Sequence, residues 1–137
     1  WCAGLSVRNL LESLRRGHSF IQVREEFEVA FRRPGDPKAP ILPGSRVSGP
    51  VEFKARCKAP VVWQLVRNGS PAVERTGRSF DEVAEAGPGD VLRVQARDAS
   101  SGELLLFVNP VHDCEDRAPA RRFQDLLAGF ERRERRD

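Results

Sequence analysis

From Val51 to Lys58 the chain alternates without a slip: Val51, Phe53, Ala55 and Cys57 against Glu52, Lys54, Arg56 and Lys58. A period of two sends these sets to opposite faces of an extended chain, so this is a half-buried strand and not a helix. Ala59-Pro60 predicts that the strand breaks there, because proline has no N–H to give a ladder. A second apolar run, Val61 to Val66, then meets Asn68-Gly69. Both residues accept the positive φ of a type I′ turn, the strongest short-range signal of a hairpin. Pro50–Val73 therefore predicts antiparallel sheet, a scaffold with no reactive group on it.

The flanking segments extend this pattern. Ser6 to Gly17 predicts a short helix with Ser6 as N-cap, Val7, Leu10, Leu11 and Leu14 on one face, and Gly17 closing it in the left-handed conformation. A helix of that length needs packing to persist. His18–Val23 and Glu26–Arg32 predict strands, the second with Phe27, Val29 and Phe31 on one side. Arg33 to Pro50 is rich in Pro and Gly and predicts a long surface connection. Gly87-Pro88-Gly89-Asp90 predicts a turn, Val91–Arg97 a strand with Leu92, Val94 and Ala96 inward, and Leu104–Val108 a strand buried on both faces. Roughly seven strands with turns at short intervals is the pattern of a β-sandwich. Near the end, Phe123, Leu126, Leu127 and Phe130 fall at i, i+3, i+4 and i+7, which predicts an amphipathic helix from Pro119 to about Glu134. The expected fold is mainly β: an immunoglobulin-like antiparallel sandwich with a short N-terminal helix and a C-terminal amphipathic helix.

Composition narrows the function. The 137 residues make one ordinary domain. With 23 basic and 20 acidic residues the net charge is only +3, and the signs are mixed even in the Arg-rich tail. Aromatic residues make up 7%, with no Tyr, so a basic face interleaved with aromatic side chains is missing and no nucleic-acid partner is expected. No run of apolar residues approaches a membrane span, so no membrane partner is expected either. The start, Trp1-Cys2-Ala3-Gly4-Leu5, has neither an initiator Met nor signal-peptide order, and the chain contains no Met at all. This reads as a piece of a longer or processed protein. Cys2, Cys57 and Cys114 are too widely spaced for a CxxC motif, and Cys2 and Cys114 could pair only if the two ends meet. Cys57 reads as a small buried hydrophobe. The odd cysteine count favours a reducing compartment, such as the cytoplasm.

Residues that could carry chemistry do not assemble into a motif. His112-Asp113-Cys114-Glu115-Asp116 gathers metal-ligand types, but neighbours on a strand point to opposite faces and nothing elsewhere completes a site. His18 beside Ser19 has no nucleophile elbow and no orienting acid. Asp81, Glu82 and Glu85 read as a solvated edge, and Gly87-Pro88-Gly89 precedes a strand rather than the helix that a phosphate loop requires. No catalytic, cofactor-binding or metal-ligating residue is assigned.

Three segments nevertheless resemble the C-terminal part of bacterial metal-dependent hydrolases of the polymerase-and-histidinol-phosphatase (PHP) superfamily. Leu10-Leu11-Glu12-Ser13-Leu14-Arg15-Arg16-Gly17-His18-Ser19-Phe20-Ile21 is similar to the last catalytic-domain helix and the "LRxGRxFV" segment after it. Val61 to Gly69 resembles the "+LxRDG" hairpin of the sandwich appended to that domain. Gly89 to Val94, followed by Leu105 to Val111, resembles the closing "YRVE…PWIFSNPIY" strands. The chain departs from the pattern where Leu104-Leu105-Leu106 replaces Pro-Trp, and in the Arg-rich segment after Cys114. The resemblance covers residues 6–113 and implies a divalent-metal phosphoesterase or related hydrolase whose ligands lie upstream of Trp1. It divides the chain into the end of a catalytic domain (1–17), a non-catalytic accessory sandwich (18–113) and a C-terminal helix or tail (114–137). The implied partner is the chain's own upstream catalytic domain, and no cofactor is expected in this chain itself. The alternative reading is a free-standing immunoglobulin-like module that binds protein or carbohydrate through the loop Arg33–Gly49.

Overall fold

A computed structural model of the chain describes residues 6–24 and 26–114. The expected C-terminal helix and Cys2 lie outside the described residues. One short helix, α1 (Val7–Arg15), precedes eight strands: β1 (Phe20–Gln22), β2 (Phe27–Arg33), β3 (Asp36–Ile41), β4 (Gly49–Arg67), β5 (Ser70–Ala86), β6 (Val91–Arg97), β7 (Leu104–Val108) and β8 (Val111–His112). All pairings between them are antiparallel. The fold is mainly β and sandwich-like, as the alternation predicted.

The sheet curls because one hairpin belongs to both of its halves. The first part of β4 pairs with β2, Phe53 opposite Phe31 and Ala55 opposite Val29. The second part pairs with β6, Trp63 opposite Ala96 and Leu65 opposite Val94. β5 follows β4 along its other side throughout. The register of that pairing shifts between Arg56 and Val61. Ala59-Pro60 therefore bends β4 without ending it, contrary to the expected break. A proline can sit where the ladder is already interrupted, since no N–H is called for.

Between the halves lies one core. Trp63, Phe53, Leu92 and Leu106 are its largest fully buried side chains. The Trp63 ring meets Phe27 edge-on at 5.8 Å and Phe80 at 6.1 Å, so a residue of one half packs on strands of the other. Its indole N–H donates to the Gly77 carbonyl at 2.9 Å, which satisfies the polar end of a buried ring. Phe31 and Phe53, opposite each other on β2 and β4, pack edge to face at 4.8 Å.

Other expectations need correction. Arg33–Pro50 is not one long connection: Asp36–Ile41 forms β3 and pairs with β2. Pro37 and Pro40 are tolerated because β3 is an edge, where an absent N–H costs no ladder bond. The Leu104–Val108 strand is buried unevenly, with Leu105, Leu106 and Val108 inside and Phe107 half-exposed beneath the Arg93 guanidinium, 5.0 Å from its ring. Cys57 is half-buried at the bend and its thiol donates to the Ala59 carbonyl at 2.8 Å.

Candidate functional site: the joint between helix and sheet

α1 forms where the residues predict. The Ser6 hydroxyl accepts the Asn9 N–H at 3.2 Å, satisfying one of the donors a helix start leaves open. At the other end the Gly17 N–H bonds the Leu14 carbonyl at 3.0 Å and the His18 N–H the Ser13 carbonyl at 2.8 Å. This is a complete Schellman closure, with Gly17 at φ 71° supplying the left-handed residue.

The closed end then meets the sheet backbone to backbone. Leu42-Pro43-Gly44-Ser45 is a turn, with the Ser45 N–H on the Leu42 carbonyl at 3.1 Å and Gly44 at φ 83°. A Cβ on Gly44 would lie 2.0 Å from the Arg16 carbonyl oxygen and 2.8 Å from the Gly17 carbonyl carbon. No other residue type fits that approach. The Gly44 N–H bonds the Pro110 carbonyl at 2.8 Å, tying the turn to the chain between β7 and β8. Next to it the Asn109 side-chain amide donates to the Gly17 carbonyl at 3.1 Å and to the Ser19 hydroxyl at 2.9 Å. Asn109 thus holds a helix end and a strand start from 92 positions away.

His18 and Ser19, weighed above as a base and nucleophile, both sit at this joint. The Ser19 hydroxyl is taken by Asn109. Burial, and then the Arg16 guanidinium, lower the pKa of His18, so the fold favours its neutral form. The His112–Asp116 ligand types do not converge in the part described. Asp113 faces Arg46 at 3.8 Å, and the Cys114 sulfur lies 3.9 Å from the Asp90 carbonyl oxygen. His112 bridges to Arg46 through the backbone, and its Nδ1 is a buried atom without a partner. Asp81 pairs with Lys54 at 2.8 Å and Glu82 with Arg75 at 3.1 Å, which makes this edge an ion-paired surface. Among the described residues no group of three or more His, Cys, Asp or Glu is placed to hold a metal ion.

Two features escaped the sequence reading. The first is a turn lock at the tip of the central hairpin. Asn68 and Gly69 both have positive φ, as a type I′ turn needs. The Asp90 carboxylate accepts from the Gly87 N–H at 3.0 Å, from the Asn68 amide at 3.0 Å and from the Arg67 guanidinium. Those bonds, the Gly87 N–H foremost, hold its pKa below the ordinary carboxylate range. The second is a buried polar row on the outer side of β4 and β6. The Gln95 amide donates to Gln64 at 2.6 Å, and the Gln64 amide to Glu74 at 2.8 Å. Alternation alone marked Gln95 as outward-facing. The signal that could have found the row is the in-register pairing of two amides, which only the strand order reveals.

Everything converging at the joint is backbone, amide or hydroxyl, suited to holding two units in a fixed relation. Compared with protein-family models, with curated proteins and with solved structures, the chain finds no match.

Proposed function

We infer that residues 18–113 are the immunoglobulin-like accessory sandwich of a metal-dependent phosphoesterase of the PHP superfamily, non-catalytic in themselves, which packs against an upstream catalytic domain or shapes access to it. The reading rests on the three resembling segments together with one structural observation, the joint. Asn109 comes from the third resembling segment, and it grips Gly17 and Ser19 of the first. A helix locked to a sheet by Gly44 and Asn109 transmits orientation, where a flexible linker would lose it. That is what an accessory domain with a fixed place beside an active site requires.

The experiment is to read the coding sequence upstream of the Trp1 codon. An in-frame extension carrying His-x-His and a later Asp-x-His supports the proposal. A start codon close to Trp1 overturns it. In the same reading, the purified 137-residue chain gives no metal-dependent turnover of generic phosphoesters, and such turnover would also defeat it. No observation favours binding through Arg33–Gly49 instead, since β3 and the turn at Gly44 commit most of that segment to pairing within the sheet.

A further inference from the structure

α1 carries an apolar stripe that nothing among the described residues covers. Val7, Leu10, Leu11 and Leu14 remain 75%, 52%, 47% and 53% exposed, and no residue of the helix is buried. Four large apolar side chains on one helical face, rigidly mounted by the joint, leave a surface that requires an occupant. The chain itself carries a second stripe of the same spacing, Phe123, Leu126, Leu127 and Phe130. We propose that residues 119–134 pack as an amphipathic helix, antiparallel, on the apolar face of α1.

Charge selects both the occupant and its direction. At 100° per residue, Arg8 and Arg15 border the α1 stripe on one side and Asn9 and Ser13 on the other. On the second stripe Gln124 and Glu131 hold the side equivalent to that of Arg8 and Arg15, and Arg122 and Arg133 the opposite one. Two antiparallel helices bring equivalent sides together, so Arg8 meets Glu131 and Arg15 meets Gln124. A parallel pair would set Arg8 and Arg15 against Arg122 and Arg133.

Reach agrees. Asn109 touches the C-terminal end of α1, and Cys114 follows five positions later, at most about 18 Å away along an extended chain. From Cys114 to Phe123 the chain can span a further ~30 Å, ample to bring Phe123 beside Leu14. The inference concerns this chain alone and stands or falls apart from the enzymatic reading.

The test is crosslinking in the full 137-residue chain with Cys2, Cys57 and Cys114 replaced by Ser. Leu14→Cys with Phe123→Cys should be joined within one copy by a short thiol crosslinker. Val7→Cys with Phe123→Cys, the parallel arrangement, should not. Because all three positions lie outside the core, far-UV circular dichroism should match the parent. In the otherwise native chain, Phe123→Lys with Leu127→Lys should raise binding of an apolar dye severalfold. No link, a link only between two copies, or preferential linking of the Val7 pair would each overturn the proposal.

Discussion

At Gly44 the backbone of a turn lies so close to the end of α1 that even a methyl group has nowhere to go, and the residue also needs a positive φ. Gly35 needs a similar φ but has open space around its Cα. The pair separates two effects that usually come together. Gly35→Ala should cost about 1 kcal/mol of stability from backbone strain alone. Gly44→Ala should cost about 2–4 kcal/mol, since the clash with the Arg16 carbonyl adds to the same strain. Urea titrations of both variants check this, and equal costs would mean that the close approach does not matter. At Trp63 burial and a satisfied N–H act together, which is why a single ring can serve both halves of the sheet.

At the scale of elements, the turns hold the strands in register, and two of them do so through carboxylates. Asp98 accepts from the Ser100 hydroxyl at 2.6 Å and from the Ser100 and Ser101 N–H groups at 2.8 Å each, which drives its pKa far below the usual range. Asp90 is lowered likewise, by Gly87, Asn68 and Arg67. A carboxylate held low in the folded state contributes stability that is complete above about pH 4 and lost as the pH falls below it. The midpoint of thermal unfolding should therefore drop between pH 4 and pH 2, and less steeply in Asp98→Asn; an unchanged slope would contradict the assignment. Some of this was legible beforehand. Alternation over residues 51–58, the Asn-Gly turn, the Ser6 cap and the Gly17 closure each depend on neighbours within a few positions. Other features were not. Ala59-Pro60 looks like a terminator until β5 is seen to tolerate a register shift beside it, and β3 looks like a loop until its place at the edge excuses two prolines. The burial of Gln64 and Gln95 follows from strand order, which no local pattern contains.

For the molecule as a whole, the shared β4–β5 hairpin leaves no plane along which the two halves can part. β4 contributes buried side chains to both, from Val51 and Phe53 through Trp63 and Leu65. Unfolding should therefore be one transition. Fluorescence of Trp63, read in a Trp1→Phe background, should lose its signal at the same denaturant concentration as far-UV circular dichroism, and separated midpoints would show that the halves unfold independently. The joint was invisible in the sequence for the same reason of scale, because Gly17, Gly44 and Asn109 are unremarkable until the fold brings them together. That arrangement also has a consequence in time. As the chain leaves the ribosome, α1 and β1 emerge first, yet their partners at Asn109 and along β7 emerge after nearly all the rest. The earliest residues made are thus among the last to find their places, and until then the leading helix travels undocked.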